Sequence, residues 1–194
     1  MSLTEIAPPD AARLPIADLR DFLRLGRGFG DDEAQDPLLD TCLRGAMAAI
    51  EARLSLGLLS RDYLWVLHYW RSQEPLVLPR APLRAVAAFR LVAVSGAVSL
   101  VEAGRYRWGT DERGAFLAMN SGTMPHLATG AHGELEFTAG FGDWADIPAD
   151  LQQAWLRLAA QFYEHRHGGE KPGLPLAVLA LIEPYLPRRM GARR

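Results

Sequence analysis

The chain has 194 residues, of which 49% are hydrophobic and 23% are charged, and its formal net charge at pH 7 is −2. These values are typical of a globular protein with one domain, or with a core domain that carries a sizeable insertion. They argue against a general attraction to nucleic acid, because non-specific DNA binding needs many basic side chains that neutralise phosphates.

The N-terminal segment reads MSLTEIAPPDAAR and shows no apolar periodicity. We therefore expect a flexible lead over residues 1–13. The segment has no basic stretch followed by an apolar core, so it does not predict a signal peptide. No run of 18 apolar residues occurs in the chain, so neither a membrane span nor a membrane partner is expected.

A helical core is predicted to begin over residues 14–61. The stretch LPIADLRDFLRLG has a proline suited to a first helical turn, and its apolar face consists of Ile16, Leu19, Phe22 and Leu23. An acidic loop follows. Its carboxylates lack calcium-loop spacing and favour the positive N-terminus of the next helix; they belong to Asp31, Asp32, Glu33 and Asp36.

The second predicted helix is long and amphipathic. It begins with Asp36 as N-cap and Pro37 in the first turn, and it is expected to end near Gly57. Its apolar face consists of Leu39, Leu43, Ala46, Met47, Ile50 and Leu54. Cys42, the only cysteine of the chain, lies among these residues, so we interpret it as a buried structural thiol rather than a nucleophile.

The chain changes character over residues 62–141. Aromatic and β-branched residues become frequent, and prolines and glycines divide the segment into short alternating runs. This pattern predicts an antiparallel β insertion. His68 and His126 lie far apart in it, with no cysteine or carboxylate at ligand spacing, so we interpret both as structural or surface residues rather than metal ligands.

The helical core is predicted to resume over residues 142–187, with Asp146 as the N-cap of a third helix. The apolar face of this helix consists of Leu151, Ala154, Trp155, Leu158, Ala159 and Phe162. A short apolar helix, LAVLALIEPYL, and a basic tail over residues 188–194 complete the chain. The predicted fold class is α+β: a bundle of about four helices with an antiparallel β insertion between the second and third helices.

The turn AGFGDWADIP resembles a phosphate-binding loop, because its glycines lie between a predicted strand and a predicted helix. Asp143 and Asp146, however, occupy the position of the anion, and Pro148 lacks the N–H that would bind it. Two carboxylates repel phosphate, so a capped helix start is the favoured interpretation.

The stretch EHRHGG resembles a metal or acid–base site. A helical metal pair needs two histidines four residues apart, whereas His165 and His167 are two apart and Glu164 is adjacent. Histidines in a last helical turn are explained by the negative helix end. Since no G-x-S-x-G elbow, C-x-x-C pair or Walker lysine occurs either, the sequence predicts no catalytic, cofactor-binding or metal-binding residue.

The order of these elements resembles the head–tail connector, or adaptor, proteins of tailed phages and gene transfer agents, in their longer form with a β insertion. The likeness covers roughly residues 14–187. It rests on an ordered set of motifs, none specific alone: LPIADLRDFLRL, AIEARLSLGLL, Trp70 with LVLPRAPLRAV, FTAGFGDWADIPADLQQAWLRLAAQFYEHR and LIEPYLPRRM.

The resemblance implies a structural protein of the particle neck, made in the bacterial cytoplasm and not an enzyme. It implies a ring, in relatives usually of twelve subunits, that lies beneath the portal protein and extends the DNA channel toward a stopper or tail-completion protein. DNA would pass through the lumen without sequence-specific binding. The residues implied in portal docking lie at the C-terminus: Tyr185, Leu186, Arg188, Arg189, Arg193 and Arg194.

Three alternatives remain open at the level of sequence. The chain could be a neck or tail-completion protein at an adjacent level of the channel. It could be a small enzyme whose fold brings together Glu164, His165 and His126. It could also be a DNA-binding module, which would show salt-dependent binding to duplex DNA.

Overall fold

The computed structural model describes residues 1–25, 35–71, 73–111, 114–165 and 173–186. These residues form four α-helices and eight β-strands, and seven of the strands lie between the second and third helices in the chain. The predicted α+β class, with an antiparallel insertion at this place, is confirmed. Among the described residues, no helix has the length and apolar character needed to cross a membrane.

The chain folds into two compact units. The helical unit contains Pro9–Leu54 and Gly142–Pro187, and the β unit contains Met1–Pro8 and Ser55–Phe141. Each unit is therefore assembled from segments that are distant in the sequence.

The helical unit consists of α1 (Ile16–Phe22), α2 (Asp36–Leu54), α3 (Ala149–Glu164) and α4 (Leu176–Ile182). Helix α2 packs against α3, α1 contacts both, and α4 packs against α3. The buried face of α2 contains all six predicted apolar residues together with Cys42, as the 3.6-residue period requires. Cys42 is buried, as predicted.

The face predicted for α1 is only partly correct. Leu19 is fully buried, Ile16 and Leu23 are half-buried, and Phe22 is exposed. A helix of seven residues has about two turns, and in α1 Leu19 is the one fully buried side chain. The apolar period alone did not distinguish the buried residue from its exposed neighbour.

The β unit contains two antiparallel sheets. The strands are β1 (Ser2–Glu5), β2 (Arg61–Leu67), β3 (Leu76–Val77), β4 (Leu83–Val92), β5 (Val98–Leu100), β6 (Tyr106–Asp111), β7 (Gly114–Met119) and β8 (His132–Ala139). The larger sheet has the order β1-β2-β8-β4-β5, and the smaller has the order β3-β7-β6.

In the larger sheet, β2 and β8 alternate strictly between buried and accessible residues, whereas β4 does not, since it has irregularities in its pairing with β8. In β8, Leu135 and Phe137 point into the core while Glu134 and Glu136 lie on the other face, as expected for a sheet with one buried side. Leu135 and Phe137 join a core that also contains Trp65 and Phe89 from the neighbouring strands and Leu117 from the smaller sheet. Both sheets therefore share one hydrophobic core.

Strand β1 lies within the segment for which the sequence predicts a flexible lead. It pairs antiparallel with β2, from Ser2 opposite Val66 to Glu5 opposite Tyr63. Leu3 packs against the core of the β unit. The difference has a physical reason: a four-residue edge strand with one inward apolar side chain has too short a pattern to be detected in the sequence.

Candidate functional site

The predicted docking residues that the structure describes follow helix α4. Tyr185 ends a 3₁₀ turn over Glu183–Tyr185, and Leu186 comes directly after it. The other predicted docking residues lie outside the described residues; they are Arg188, Arg189, Arg193 and Arg194.

Helix α4 is attached to α3. Val178 and Ile182 are fully buried. The hydroxyl of Tyr185 donates a hydrogen bond of 2.8 Å to Oδ1 of Asp150 in the first turn of α3. Partial burial, together with the hydrogen bond and the negative charge of Asp150, raises the pKa of Tyr185 to about 12. Tyr185 therefore holds the start of the C-terminal segment against α3.

Two apolar side chains at this end of the helical unit face outward. Leu176, at the start of α4, is 85% exposed, and Leu186 is 37% exposed. Scattered exposed leucines are common on protein surfaces, but these two flank a helix whose opposite face is buried. Leu176 belongs to α4 and Leu186 follows the 3₁₀ turn after it, so each end of this segment carries one exposed leucine.

The AGFG turn does not form an anion site. The carboxylate of Asp146 accepts a hydrogen bond of 2.9 Å from the main-chain N–H of Asp143, and Nε of Arg13 lies 2.8 Å from the carboxylate of Asp143. Gly142 has φ +138, and a Cβ there would lie 2.1 Å from Oδ2 of Asp146. The carboxylates of Asp146 and Asp143 thus already bind the main-chain N–H and the guanidinium that a phosphate would need as donors.

The prediction that Asp146 caps α3 is wrong. Asp143 and Asp146 form a reciprocal capping box around a 3₁₀ turn over Trp144–Asp146. Ile147 is extended, and α3 begins at Ala149 after Pro148, which makes no side-chain capping bond. The sequence contained a correct capping signal, but it belongs to the short turn before the helix.

The histidines do not form a metal site in the part of the chain that the structure describes. His165 is exposed at the end of α3, where its Nδ1 lies 3.0 Å from the carbonyl oxygen of Gln161. His126 belongs to the β unit, Glu164 to the helical unit, and His167 lies outside the described residues. No group of three or more His, Cys, Asp or Glu side chains in the described ranges could hold a metal ion.

The acidic loop is described only at its end. Asp31, Asp32 and Glu33 lie outside the described residues, whereas the carboxylate of Asp36 forms an ion pair with the guanidinium of Arg20. Asp36 is the first residue of α2, so its charge also interacts favourably with the helix dipole. Its role in the described structure is to connect the ends of α1 and α2.

The β unit contains a shallow pocket of about 190 Å³ beside Met119 and Met124, with Arg107 and Glu74 at its lining. Small-molecule sites usually occupy about 300–1,000 Å³ and contain convergent polar groups. A second pocket, beside Val77 and Phe116, is about 160 Å³. Neither has the size of a typical cofactor or substrate site.

One exposed surface was not identified by the sequence analysis. It is formed by Val94, Val98 and Leu100 in the β4–β5 hairpin, and we call it the hairpin patch; these side chains are 73%, 60% and 66% exposed. The signal in the sequence is the eleven-residue run LVAVSGAVSLV, residues 91–101, which contains no charged side chain. Contiguous exposed apolar surface of this kind is typical of interaction sites.

Comparisons with known proteins give one consistent result. No protein-family model matches the chain. No curated protein has a matching sequence. Solved structures do match: a chain from the neck of an empty gene transfer agent particle, computed with C6 symmetry, is 40% identical over 100% of both chains, with a TM-score of 0.90.

Two further structures agree with this match. A chain of the virion of a native gene transfer agent particle is 40% identical over 100% of this chain and 99% of its own length, with a TM-score of 0.87. A chain from the neck of a native particle, computed with C12 symmetry, is 37% identical over 100% of both chains, with a TM-score of 0.85. The similarity therefore includes both units and both ends of the chain.

Proposed function

This chain belongs to the family of neck proteins of gene transfer agent particles, and on that premise we propose that it is the head–tail connector, or adaptor, of such a particle. In this role, copies of the chain form a ring beneath the portal protein. The ring extends the DNA channel and joins the capsid to the tail through a stopper or tail-completion protein.

The observation that carries this proposal is the end-to-end match with chains of particle necks computed with C6 and C12 symmetry. Cyclic symmetry arranges identical subunits around one axis, so that each subunit contacts the next through two different surfaces. A ring of twelve copies is compatible with both symmetries, because a twelvefold axis contains a sixfold one.

The charge of the chain is compatible with a DNA channel. A net charge of −2 gives duplex DNA no general attraction to the protein. DNA must slide through such a channel. A strongly basic lining would bind the DNA tightly, because basic side chains that neutralise phosphates release counterions. In this proposal, DNA passes through the lumen without sequence-specific binding.

The C-terminal segment is the portal-docking element in this proposal. Its base is fixed by the hydrogen bond between Tyr185 and Asp150, and the exposed side chain of Leu186 comes next. The four arginines that follow have no acidic residue after Glu183 to neutralise them; they are Arg188, Arg189, Arg193 and Arg194. Such a segment fits an acidic surface with an apolar centre on a partner protein.

A second candidate is a neck or tail-completion protein at an adjacent level of the channel. The same comparisons favour it, since each match is to a chain of the neck or virion as a whole. The two candidates differ in the immediate partner. The adaptor binds the portal, whereas the alternative binds a protein further from the capsid.

Electron microscopy of particles from cells that lack this chain tests the proposal. We expect DNA-filled heads without tails, whose portal has no ring attached, and restoration of tails when the chain is supplied from a plasmid. Tailless heads that keep a ring on the portal would favour the alternative level. Normal tailed particles without this chain would contradict both candidates.

A further inference from the structure

The hairpin patch lies at an unpaired edge of the larger sheet. Strand β5 pairs with β4 through Leu91 opposite Ser99, and no described strand pairs with its other side. Proteins normally protect such an edge with lysine, proline or a bulge, because free main-chain groups attract other strands. No charged or proline residue protects β5, so this edge is suited to accept a strand.

The hydrogen bonds of the hairpin show which main-chain groups are free. Ala93 donates to the carbonyl of Ala97 at 2.9 Å, and Val101 donates to the carbonyl of Phe89 at 2.8 Å. Hydrogen-bonded and outward-facing residues alternate along an antiparallel strand. The N–H and C=O groups of Val98 and Leu100 therefore point away from β4, toward the open edge.

The opposite edge of the same sheet is β1. Ile6 donates to the carbonyl of Asp62 in β2 at 2.9 Å, so the alternation directs the main-chain groups of Leu3 and Glu5 outward. Nε of Arg61 lies 2.6 Å from Oε1 of Glu5, and the Arg61 guanidinium stacks on the ring of Tyr63 at 5.3 Å. The single charge of β1 is thus already neutralised within the chain.

We propose that β5 of one copy pairs with β1 of the next copy, so that the larger sheets join into one continuous sheet around the ring. This inference rests on the proposed function, because it requires several copies around one axis. The electrostatics of the two edges match: β5 carries no charge, and the Glu5 carboxylate of β1 is paired with Arg61. When the edges meet, neither of them therefore buries an unpaired charge, which would be costly to desolvate.

The topology determines the direction of this pairing. Each neighbour in the order β1-β2-β8-β4-β5 is antiparallel, so β1 and β5 run in the same direction. One step of a twelvefold ring rotates a subunit by only about 30°, which nearly preserves the direction of its strands. The new strand pair is therefore parallel, whereas the described strand pairs within the larger sheet are all antiparallel.

The outward-facing groups allow two registers, in which Thr4 lies beside either Val98 or Leu100, and we propose the first. In a parallel strand pair, the N–H and C=O groups of one residue bond to the two residues on either side of the residue opposite it. Val98 thus donates to the carbonyl of Leu3 of the next copy and accepts from the N–H of Glu5 of that copy, which places Val98 beside Thr4. The antiparallel pairing within the sheet sets both side chains on the face that carries Glu136 and His132.

The contact is too small to hold two copies together in solution. Stable protein pairs bury about 1,200 Å² or more, and a strand edge of three or four residues buries only part of this. Ring closure adds further contacts at a high effective concentration, so the same edge becomes stable in the assembled neck. Because the contact between two copies is smaller than a stable interface, the strand pairing is confined to the particle and free chains form few fibres.

Cysteine cross-linking in assembled particles tests the proposal. Particles carrying both Thr4→Cys and Val98→Cys are oxidised and separated on a non-reducing gel. Neighbouring parallel strands place Cα atoms about 5 Å apart, within disulfide range. We expect a ladder of covalent oligomers from particles and only monomers from the purified free chain. The native Cys42 is buried and provides no cross-link in the parent protein.

The controls separate this inference from the proposed function. Each single cysteine variant should give no more than dimers, and Thr4→Cys combined with Ser121→Cys, an exposed residue outside both edges, should give no ladder. Tailed particles in which neither Thr4→Cys with Val98→Cys nor Thr4→Cys with Leu100→Cys gives a ladder would overturn the strand pairing and leave the adaptor role intact. Tailed particles from which this chain is absent would contradict the adaptor role itself.

A proline variant keeps the proposal testable if the double variant does not assemble. Val98→Pro removes an N–H that points away from β4, whereas Val98→Thr retains it. With unchanged melting temperatures, we expect Val98→Pro to lower incorporation into particles at least tenfold and Val98→Thr to be incorporated normally. Equal incorporation of the two variants would contradict the pairing.

Discussion

The indole N–H of Trp155 in α3 donates a hydrogen bond of 2.8 Å to the main-chain carbonyl oxygen of Leu43 in α2. Both residues are fully buried, and the ring of Trp144 packs edge-on against Trp155 with centroids 5.7 Å apart. The bond joins two helices that are more than one hundred residues apart in the sequence. Trp155 is thus both the largest side chain of the helical core and a specific link across it.

Replacement of Trp155 should destabilise the helical unit strongly. We expect Trp155→Ala to lower the free energy of unfolding by about 3–5 kcal/mol, because it leaves a cavity and an unfilled helix interface. Trp155→Phe, which mainly removes the indole donor, should lose less than Trp155→Ala does. Urea unfolding followed by far-UV circular dichroism measures both. Trp108→Ala, at a residue 41% exposed, is the control with a smaller expected loss, and an unchanged Trp155→Ala protein would contradict the core assignment.

Gly140 should not tolerate a side chain. It has φ +127, and a Cβ there would lie 2.4 Å from the carbonyl oxygen of Leu59. We expect Gly140→Ala to cost about 1–3 kcal/mol through backbone strain, with a comparable loss from the steric overlap. Thermal unfolding measures the change. Gly104→Ala is a matched control in the same unit, because no atom lies within 4 Å of its Cβ; equal melting temperatures for the two variants would refute the steric argument.

Local patterns predicted the helices well. The faces of α2 and of most of α3 could be read directly, because apolar residues at spacings of three and four must share one side of a helix. Phe162, at the end of the α3 face, is only half-buried. The alternation in β8 was equally informative, since a two-residue period specifies which side chains enter the core.

Long-range pairing could not be predicted in the same way. Strand β8 lies between β2 and β4, although more than sixty residues separate it from β2 in the chain. No local pattern specifies such a neighbour, because many strands of similar composition could pair there. The same reason concealed β1, whose four residues are stabilised by β2 and by the Glu5–Arg61 ion pair rather than by their own pattern.

The Tyr185–Asp150 hydrogen bond should make stability depend on pH in the alkaline range. Burial and Asp150 raise the pKa of Tyr185 to about 12, whereas an unfolded tyrosine has a pKa of about 10. Between these two pH values, Tyr185 has lost its proton in the unfolded chain but keeps it in the folded chain. The contribution of the hydrogen bond to the free energy of unfolding is therefore complete below about pH 10 and is lost as the pH rises through about 12.

Comparison of the wild type with Tyr185→Phe isolates this effect. We expect the variant to be less stable below about pH 10 and the difference to shrink as the pH approaches 12. Asp150→Asn, which keeps an acceptor and removes the charge, should show a weaker dependence. Chemical unfolding at a series of pH values gives the differences, and a constant difference between wild type and Tyr185→Phe would show that the hydroxyl is not held as described.

Removal of the C-terminal segment should separate folding from assembly. Because Tyr185 is fixed to α3, the deletion must begin after Leu186 and remove residues 187–194. We expect the truncated chain to keep its melting temperature to within about one degree, since α4 and the Tyr185–Asp150 hydrogen bond are retained, and to fail to support tailed particles. Calorimetry and negative-stain electron microscopy give the two results.

The arginines can be tested without shortening the chain. Replacement of Arg188, Arg189, Arg193 and Arg194 by alanine should abolish co-purification with the portal protein if the segment docks by charge, and replacement by lysine should retain part of it. Lysine keeps the charge but not the planar paired donors of arginine, so an intermediate result would indicate carboxylate partners bound in a bidentate manner. If the alanine variant binds the portal as well as the wild type does and supports tails, the docking segment must lie elsewhere in the chain.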